Sequence, residues 1–204
     1  MKPLLPVRSC HDCLKEFKLI SSRRMYLRDR TAPAHDALDK LVGPFDSIES
    51  YRWYVSGIAA FRRPLEAELS SVVWSDLSPD YQLQRLGDLL VEDMNDLALI
   101  AGTVTTSVAA ELVLEELLGT LYVVEGSALG SRILYRRAQA LGMTDGHGAR
   151  HLAVQSRPGP QWQSYLSVLE TGTLDMELVA LSATRTFQAA EQAFRNAGAN
   201  ALTL

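Results

Sequence analysis

At 204 residues, 47% of them apolar and 22% charged, the chain has the length and composition of one soluble globular domain. Twenty basic against 24 acidic residues leave a net charge of −4, which argues against a protein whose work is neutralising a phosphate backbone, and so against nucleic acid as a partner. No run reaches the roughly 20 apolar residues of a membrane span, Lys15, Glu16 and Lys18 break up any export signal, and two cysteines make no disulfide framework, so the expected location is cytoplasmic.

Residues 1–24 stand apart: two prolines, the Cys10-His11-Asp12-Cys13 cluster and Ser21-Ser22-Arg23-Arg24 precede the first helical pattern. They read as a flexible appendage to a helical domain over 25–198. The first helix is expected over 31–42, after a turn from Met25, with Thr31 as its cap and Pro33 in the first turn, where amide donors are unpaired anyway. A second starts at Asp46, with Glu49 completing a capping box, and runs to about Val73 with a bend at Pro64. The third takes Ser78 as cap and Pro79 as its first residue, and carries Leu83, Leu86, Leu89, Leu90 and Met94 at helical spacing. A long fourth helix covers 106–141 and is closed by Gly142. The fifth and sixth cover 161–170 and 174–196. Nothing alternates with period two, so no sheet is expected. The fold class is all-α, six or seven helices in a single domain.

Two features of these helices ask for an explanation. Gly126 and Gly130 lie four apart inside the fourth helix, on one face, where each costs about 1 kcal/mol against alanine. With Ser127 they leave a strip of bare backbone. Either a neighbouring helix packs tightly there, or a flat ligand lies against it. In the first helix, His35 shares a face with Thr31, Leu38 and Val42, and Arg28 lies seven residues before it. Such a histidine is usually a hydrogen-bonded, half-buried side chain, yet neutral imidazole is also a common metal and axial heme ligand.

The Thr31-x-x-x-His35 start, the LGTLYVVEGSALGSRIL segment over 118–134, Trp162-x-x-Tyr165-Leu166 and Thr186-Phe187-x-x-x-Glu191-x-x-Phe194 follow in order over 25–196. Together they resemble the heme oxygenase family, above all bacterial members found with bacteriophytochromes. The resemblance implies a heme held between a proximal helix, whose His35 ligates the iron, and a kinked distal helix, whose Gly126 and Gly130 lie on the other face with Ser127 beside them. It implies Thr31, Arg28, Arg132, Arg136, Arg137 and Arg185 as further heme-binding candidates, the arginines at the propionates. The implied activity is O2-dependent cleavage of heme to biliverdin, CO and Fe2+, with heme both substrate and cofactor. An external electron donor, a ferredoxin or a reductase, is implied too, and a bacteriophytochrome as recipient of the biliverdin.

Ser127 stands where animal members carry an aspartate that organises water. Proton delivery therefore falls to Glu125, Ser127 or backbone-held water, and a catalytically silent heme-binding or protein-interaction regulator is the alternative reading. Other clusters are poorer. Cys10-x-x-Cys13 with His11 lacks the four ligands of a zinc site unless His147 and His151 complete it across the chain. Glu111, Glu115 and Glu116 have no accompanying Glu-x-x-His motif and read as a solvated face.

Overall fold

The computed structural model describes the backbone of residues 10–77, 79, 81–100 and 113–201, and the side chains of 22–75, 77, 79, 81–100 and 113–197. Helix α1 runs unbroken over Cys10–Val42, so the helical pattern does not begin at Met25 and Thr31 is not its cap. Thr31 is an interior residue, 2% exposed, whose hydroxyl donates to Leu27 O at 2.7 Å. Pro33 sits deep in the helix and not in its first turn. The helix survives the lost donor because its apolar edge, with Leu27 fully buried, packs against later helices. Arg23 adds an anchor: its guanidinium donates to Leu169 O at 2.7 Å and Gly172 O at 3.0 Å, at the end of a distant helix.

Helix α2, Ile48–Glu68, is capped by a Ser47–Ser50 box, one residue on from the expected Asp46–Glu49 pair. It continues through Pro64 but stops short of Val73, passing into a 3-10 turn over Leu69–Ser71 and the short α3, Trp74–Leu77. Ser78 lies outside the described residues. The expected third helix starts late: residues 81–86 are not helical, and α4 covers Gly87–Asp96. The reason is tertiary. The buried Glu66 carboxylate of α2 accepts from Leu86 N and Gly87 N, each at 2.9 Å, and so caps α4 from another element. Arg62 stabilises that carboxylate at 3.0 Å and donates to Gln84 O at 2.9 Å, which holds the extended approach in place.

The long fourth helix is two helices, α5 over Leu114–Gly126 and α6 over Ala128–Ala140, with Ser127 as a turn between them. The expected start, residues 106–112, lies outside the described residues. A short helix that the sequence reading missed, α7 over Arg150–Gln155, follows, then α8 over Gln161–Leu169 and α9 over Met176–Ala201. Asp175 caps α9 by accepting from Glu177 N at 3.0 Å and Leu178 N at 3.2 Å. No strand forms among the described residues; there are only isolated bridges from Thr144 to His147 and Gly148.

Helix α9 is the hub, packed against α1, α2 and α5. At two points it comes too close for any side chain opposite. A Cβ on Gly57 of α2 would lie 2.2 Å from the Phe194 ring, and one on Gly119 of α5 would lie 2.4 Å from Val179 O. Two apolar cores result, one around Tyr51, Tyr54, Leu90, Leu152 and Phe194, the other around Leu27, Tyr81, Leu118, Leu121 and Tyr165.

One buried carboxylate ties α7 to this frame. Asp93 of α4, fully buried, accepts from Arg150 N and His151 N at 3.0 Å each, and its Oδ2 lies 2.7 Å from His151 Nδ1. Burial by itself would raise the Asp93 carboxyl, but the hydrogen bonds from the His151 ring and the two amides outweigh it and hold it below the usual aspartate range. A carboxyl that binds its proton less readily when folded lends stability that is lost as pH falls below the ordinary value of about 4. The urea midpoint should therefore drop steeply between about pH 5 and about pH 2. Asp93→Asn should be less stable at neutral pH by about 2 kcal/mol or more, with a shallower acid limb. An acid limb equally steep in both proteins would contradict this.

Candidate active site

His35 and Arg28 lie seven residues apart on the same edge of α1, about two turns. The His35 side chain is 56% exposed; Nδ1 is 3.1 Å from Asp39 Oδ2, and the ring meets Phe187 of α9 edge-on at 5.5 Å. The Asp39 carboxylate accepts from Nδ1–H in the neutral ring, which leaves the Nε2 lone pair for a ligand.

The end of α5 meets this part of α1 through α9. Val123 of α5 packs with Phe187 and Ala183 of α9, and Ala34 and Leu38 of α1 pack against that cluster. Trp162 of α8 makes a second link, with the Arg24 guanidinium 5.6 Å above its ring and its Cζ3 3.8 Å from where a Gly126 Cβ would be. One turn beyond Val123 the helix breaks. Ser127 N still reaches Val123 O at 3.0 Å, but Gly130 N turns to Ser127 O at 3.3 Å, a tighter three-residue closure.

The three glycines of this segment have different surroundings. Gly119 is consumed by helix packing. A Cβ on Gly126 would make only ordinary contact with Trp162, and one on Gly130 would meet nothing within 4 Å. Tight packing of a neighbouring helix thus explains Gly119 and fails for Gly126 and Gly130. Beside them Leu129 and Ile133 stand 59% and 56% exposed, an apolar strip on α6 that continues into Arg136 and Arg137 one turn further on. Cut away at the glycines, apolar along its length and cationic at its end, the strip suits a flat hydrophobic molecule with an anionic edge.

The remaining candidates divide. Arg28 is exposed and pairs with Asp29 at 3.1 Å. Arg132 donates through Nε to Ser156 O at 3.3 Å, and Arg136 and Arg137 are exposed. Thr31 is turned into the core. Arg185 is not brought to this side. Two residues from Phe187 along α9, it lines a separate groove of about 400 Å³ with Phe61, Leu65, Glu116 and Thr120. Glu125 also points away: it is buried, accepts from Tyr81 OH at 2.6 Å, and is raised above the usual glutamate range by its desolvation. Ser127 is in place, but its hydroxyl donates to Val124 O at 2.6 Å and accepts from Gln155 Nε2 at 2.9 Å. No local pattern marked Gln155, because the contact joins residues 28 apart across a turn.

Among the other histidines with described side chains, His151 is fully buried against Asp93, and His147, in the loop between α6 and α7, pairs with Asp96 at 3.4 Å. The side chains of Cys10 and Cys13 and all of Glu111 lie outside the described residues, and among those described no cluster of three or more His, Cys, Asp or Glu could hold a metal ion. Glu116 lines the groove with Arg185, and Glu115 accepts from Asp175 N at 3.4 Å, so this pair is not merely a solvated face.

Alanine substitution separates the glycine environments. Gly119→Ala should destabilise the unliganded protein by about 1–3 kcal/mol, through overpacking against a backbone carbonyl. Gly130→Ala should stabilise it by about 0.5–1 kcal/mol, because only helix propensity changes there. Urea unfolding of both variants reads the difference, and a loss at Gly130 as large as that at Gly119 would restore the helix-packing explanation.

Comparison with known proteins supplies the context for this geometry. The fold matches crystal structures of NO- and CO-bound heme oxygenase from Neisseria meningitidis with a TM-score of 0.67, over 84% of this chain and 89% of that one; at 24% identity this likeness concerns the fold. The chain is 32% identical over 158 residues to Heme oxygenase PigA of Pseudomonas aeruginosa, spanning 75% of this chain and 80% of that protein. The heme oxygenase family model matches residues 24–198. The chain belongs to the heme oxygenase family.

Proposed function

We propose that this chain binds heme between the His35 edge of α1 and the α5–α6 junction and cleaves it to biliverdin, CO and Fe2+. The observation that carries the reading is the contrast in the glycines: Gly119 is filled by helix packing, whereas Gly126 has only ordinary contact with Trp162 and Gly130 meets nothing within 4 Å, beside exposed Leu129 and Ile133, while His35 on α1 holds Asp39 through Nδ1 and keeps Nε2 for a ligand. When bound, heme supplies both the iron centre for O2 and electrons and the ring that is broken.

The residues of the chain divide the remaining work. His35 Nε2 is the iron ligand, its ring oriented by Asp39 and by the edge of Phe187. Asp39 is itself exposed, so its hydrogen bond orients the ring without strongly increasing the electron density of the imidazole. Gly126 and Gly130 would let the helix backbone approach a bound heme, and Leu129 and Ile133 would keep water from it. Arg28, Arg132, Arg136 and Arg137 would hold its propionates; Thr31 supports the ligand helix from within the core. Ser127 Oγ–H is engaged in a hydrogen bond to Val124 O, so protons would reach the site through solvent water at the exposed junction.

The electron donor in this reading is an acidic ferredoxin or a reductase, and the product passes to a bacteriophytochrome. The supporting feature is the arginine cluster on an otherwise acidic chain. Among the described residues no helix is long and apolar enough to cross a membrane.

Adding hemin to the purified protein tests binding, through a Soret band that saturates at one equivalent, and ascorbate in air then tests turnover, through red-absorbing biliverdin. His35→Ala should change that spectrum and abolish most turnover while the unliganded protein unfolds at the same or a higher temperature, since alanine is the better helix former. An unchanged spectrum would place the ligand elsewhere. Turnover driven by ferredoxin should slow as salt rises through about 0.1 M, where screening acts over roughly 10 Å, while ascorbate-driven turnover changes little. Neutralising Arg136 and Arg137 together should flatten that dependence, and equal salt sensitivity with both donors would count against steering by these charges.

A further inference from the structure

The distal wall is not held by its own helix. In an unbroken helix Val124 O would accept from the amide four residues on. Here the Ser127 hydroxyl reaches it at 2.6 Å, and such local competition from a serine bends helices. The hydroxyl has one proton, which goes to Val124 O, so anything else that fixes it must donate to the oxygen. Gln155 Nε2 does so, at 2.9 Å, from the last residue of α7. The next residue, Ser156, receives Arg132 Nε on its carbonyl at 3.3 Å. Two adjacent positions at the end of α7 thus grip α6 on both sides of Gly130.

The other end of α7 cannot follow the distal helix if that helix moves. Asp93 holds the Arg150 and His151 amides and the His151 ring, in a core where both Asp93 and His151 are fully buried. Leu152 is fully buried too, and Tyr51 OH donates to Gly148 O at 2.6 Å just before the helix. The brace is rigid at one end and polar at the other.

We infer that Gln155 is a positioning residue for the distal wall: by donating to Ser127 Oγ it fixes the break between α5 and α6, and with it the distance of Gly130 from the His35 edge. The inference rests on the heme reading for its consequence in the reaction, though not for the clamp itself. Gln155 touches no reacting atom in this account. It acts through Ser127.

The test uses Gln155→Leu, which keeps bulk and removes the donor, Gln155→Glu, which can only accept from Ser127 at neutral pH, and Ser127→Ala, singly and with Gln155→Leu. In the unliganded protein, amide hydrogen exchange over residues 128–132 should quicken on the order of tenfold in each variant, while exchange in α2 and α9 and the unfolding temperature stay as in wild type. The double variant should be no faster than either single one, because both remove the same contact. In the hemin complex, each variant should shift the pH midpoint of the visible spectrum and lower kcat several-fold with little change in hemin affinity. Unchanged exchange over 128–132, additive effects in the double variant, or faster exchange everywhere with a lowered unfolding temperature would each overturn the clamp; the last would make Gln155 a general structural contact. If the wild-type protein showed no Soret band, the heme reading would fall, and the exchange measurements would still decide the clamp.

Discussion

Everything at the site depends on how closely α9 can be approached. Gly119 lets α5 lie so near that a single methyl group would sit 2.4 Å from Val179 O, and Gly57 does the same for α2 against the Phe194 ring. These approaches fix the height at which α5 leaves the core. From there Val123 meets Phe187, Phe187 meets His35, and the chain passes Trp162 at Gly126 and reaches the open at Gly130. A bulkier residue at 119 would push α5 outward and carry the α5–α6 junction with it, without touching a candidate site residue.

Charge from distant elements does the work of local caps. The buried Glu66 starts α4, the buried Asp93 starts α7, and the half-buried Arg23 closes the end of α8. Each satisfies helix-end groups that would otherwise be unpaired, and each comes from a different element. The desolvation of these groups is offset by several hydrogen bonds apiece, so removing one partner leaves an uncompensated charge or a set of bare amides. This construction lets a six-residue helix such as α7 hold its position, although it is far too short to be stable by itself. Through α7 the same buried aspartate reaches the α5–α6 junction and the open strip beyond it.

The sequence was legible where the signal is local. The all-α class and the presence of helices within the expected spans 46–73, 161–170 and 174–196 follow from spacing that neighbouring residues impose on one another. It was misleading where another element decides. Ser47 displaced Asp46 as a cap by one position, a difference that hinges on the geometry of a single turn. Pro33 suggested a helix start and lies instead in mid-helix, tolerated because packing outweighs one missing donor. Pro79 promised a helix that begins only at Gly87, under the Glu66 carboxylate.

The sequence by itself determined the residue types and their order: which helix carries His35, that glycines stand at 119, 126 and 130, and that Ser127 follows Gly126. It could not say which of those glycines serves packing, because a glycine opposite a carbonyl and a glycine opposite open space have the same local signature. Nor could it place Arg185 on the far side of α9, or bring Gln155 to Ser127. Those facts depend on which face of one helix meets which face of another, and that is set by close packing summed over the whole core.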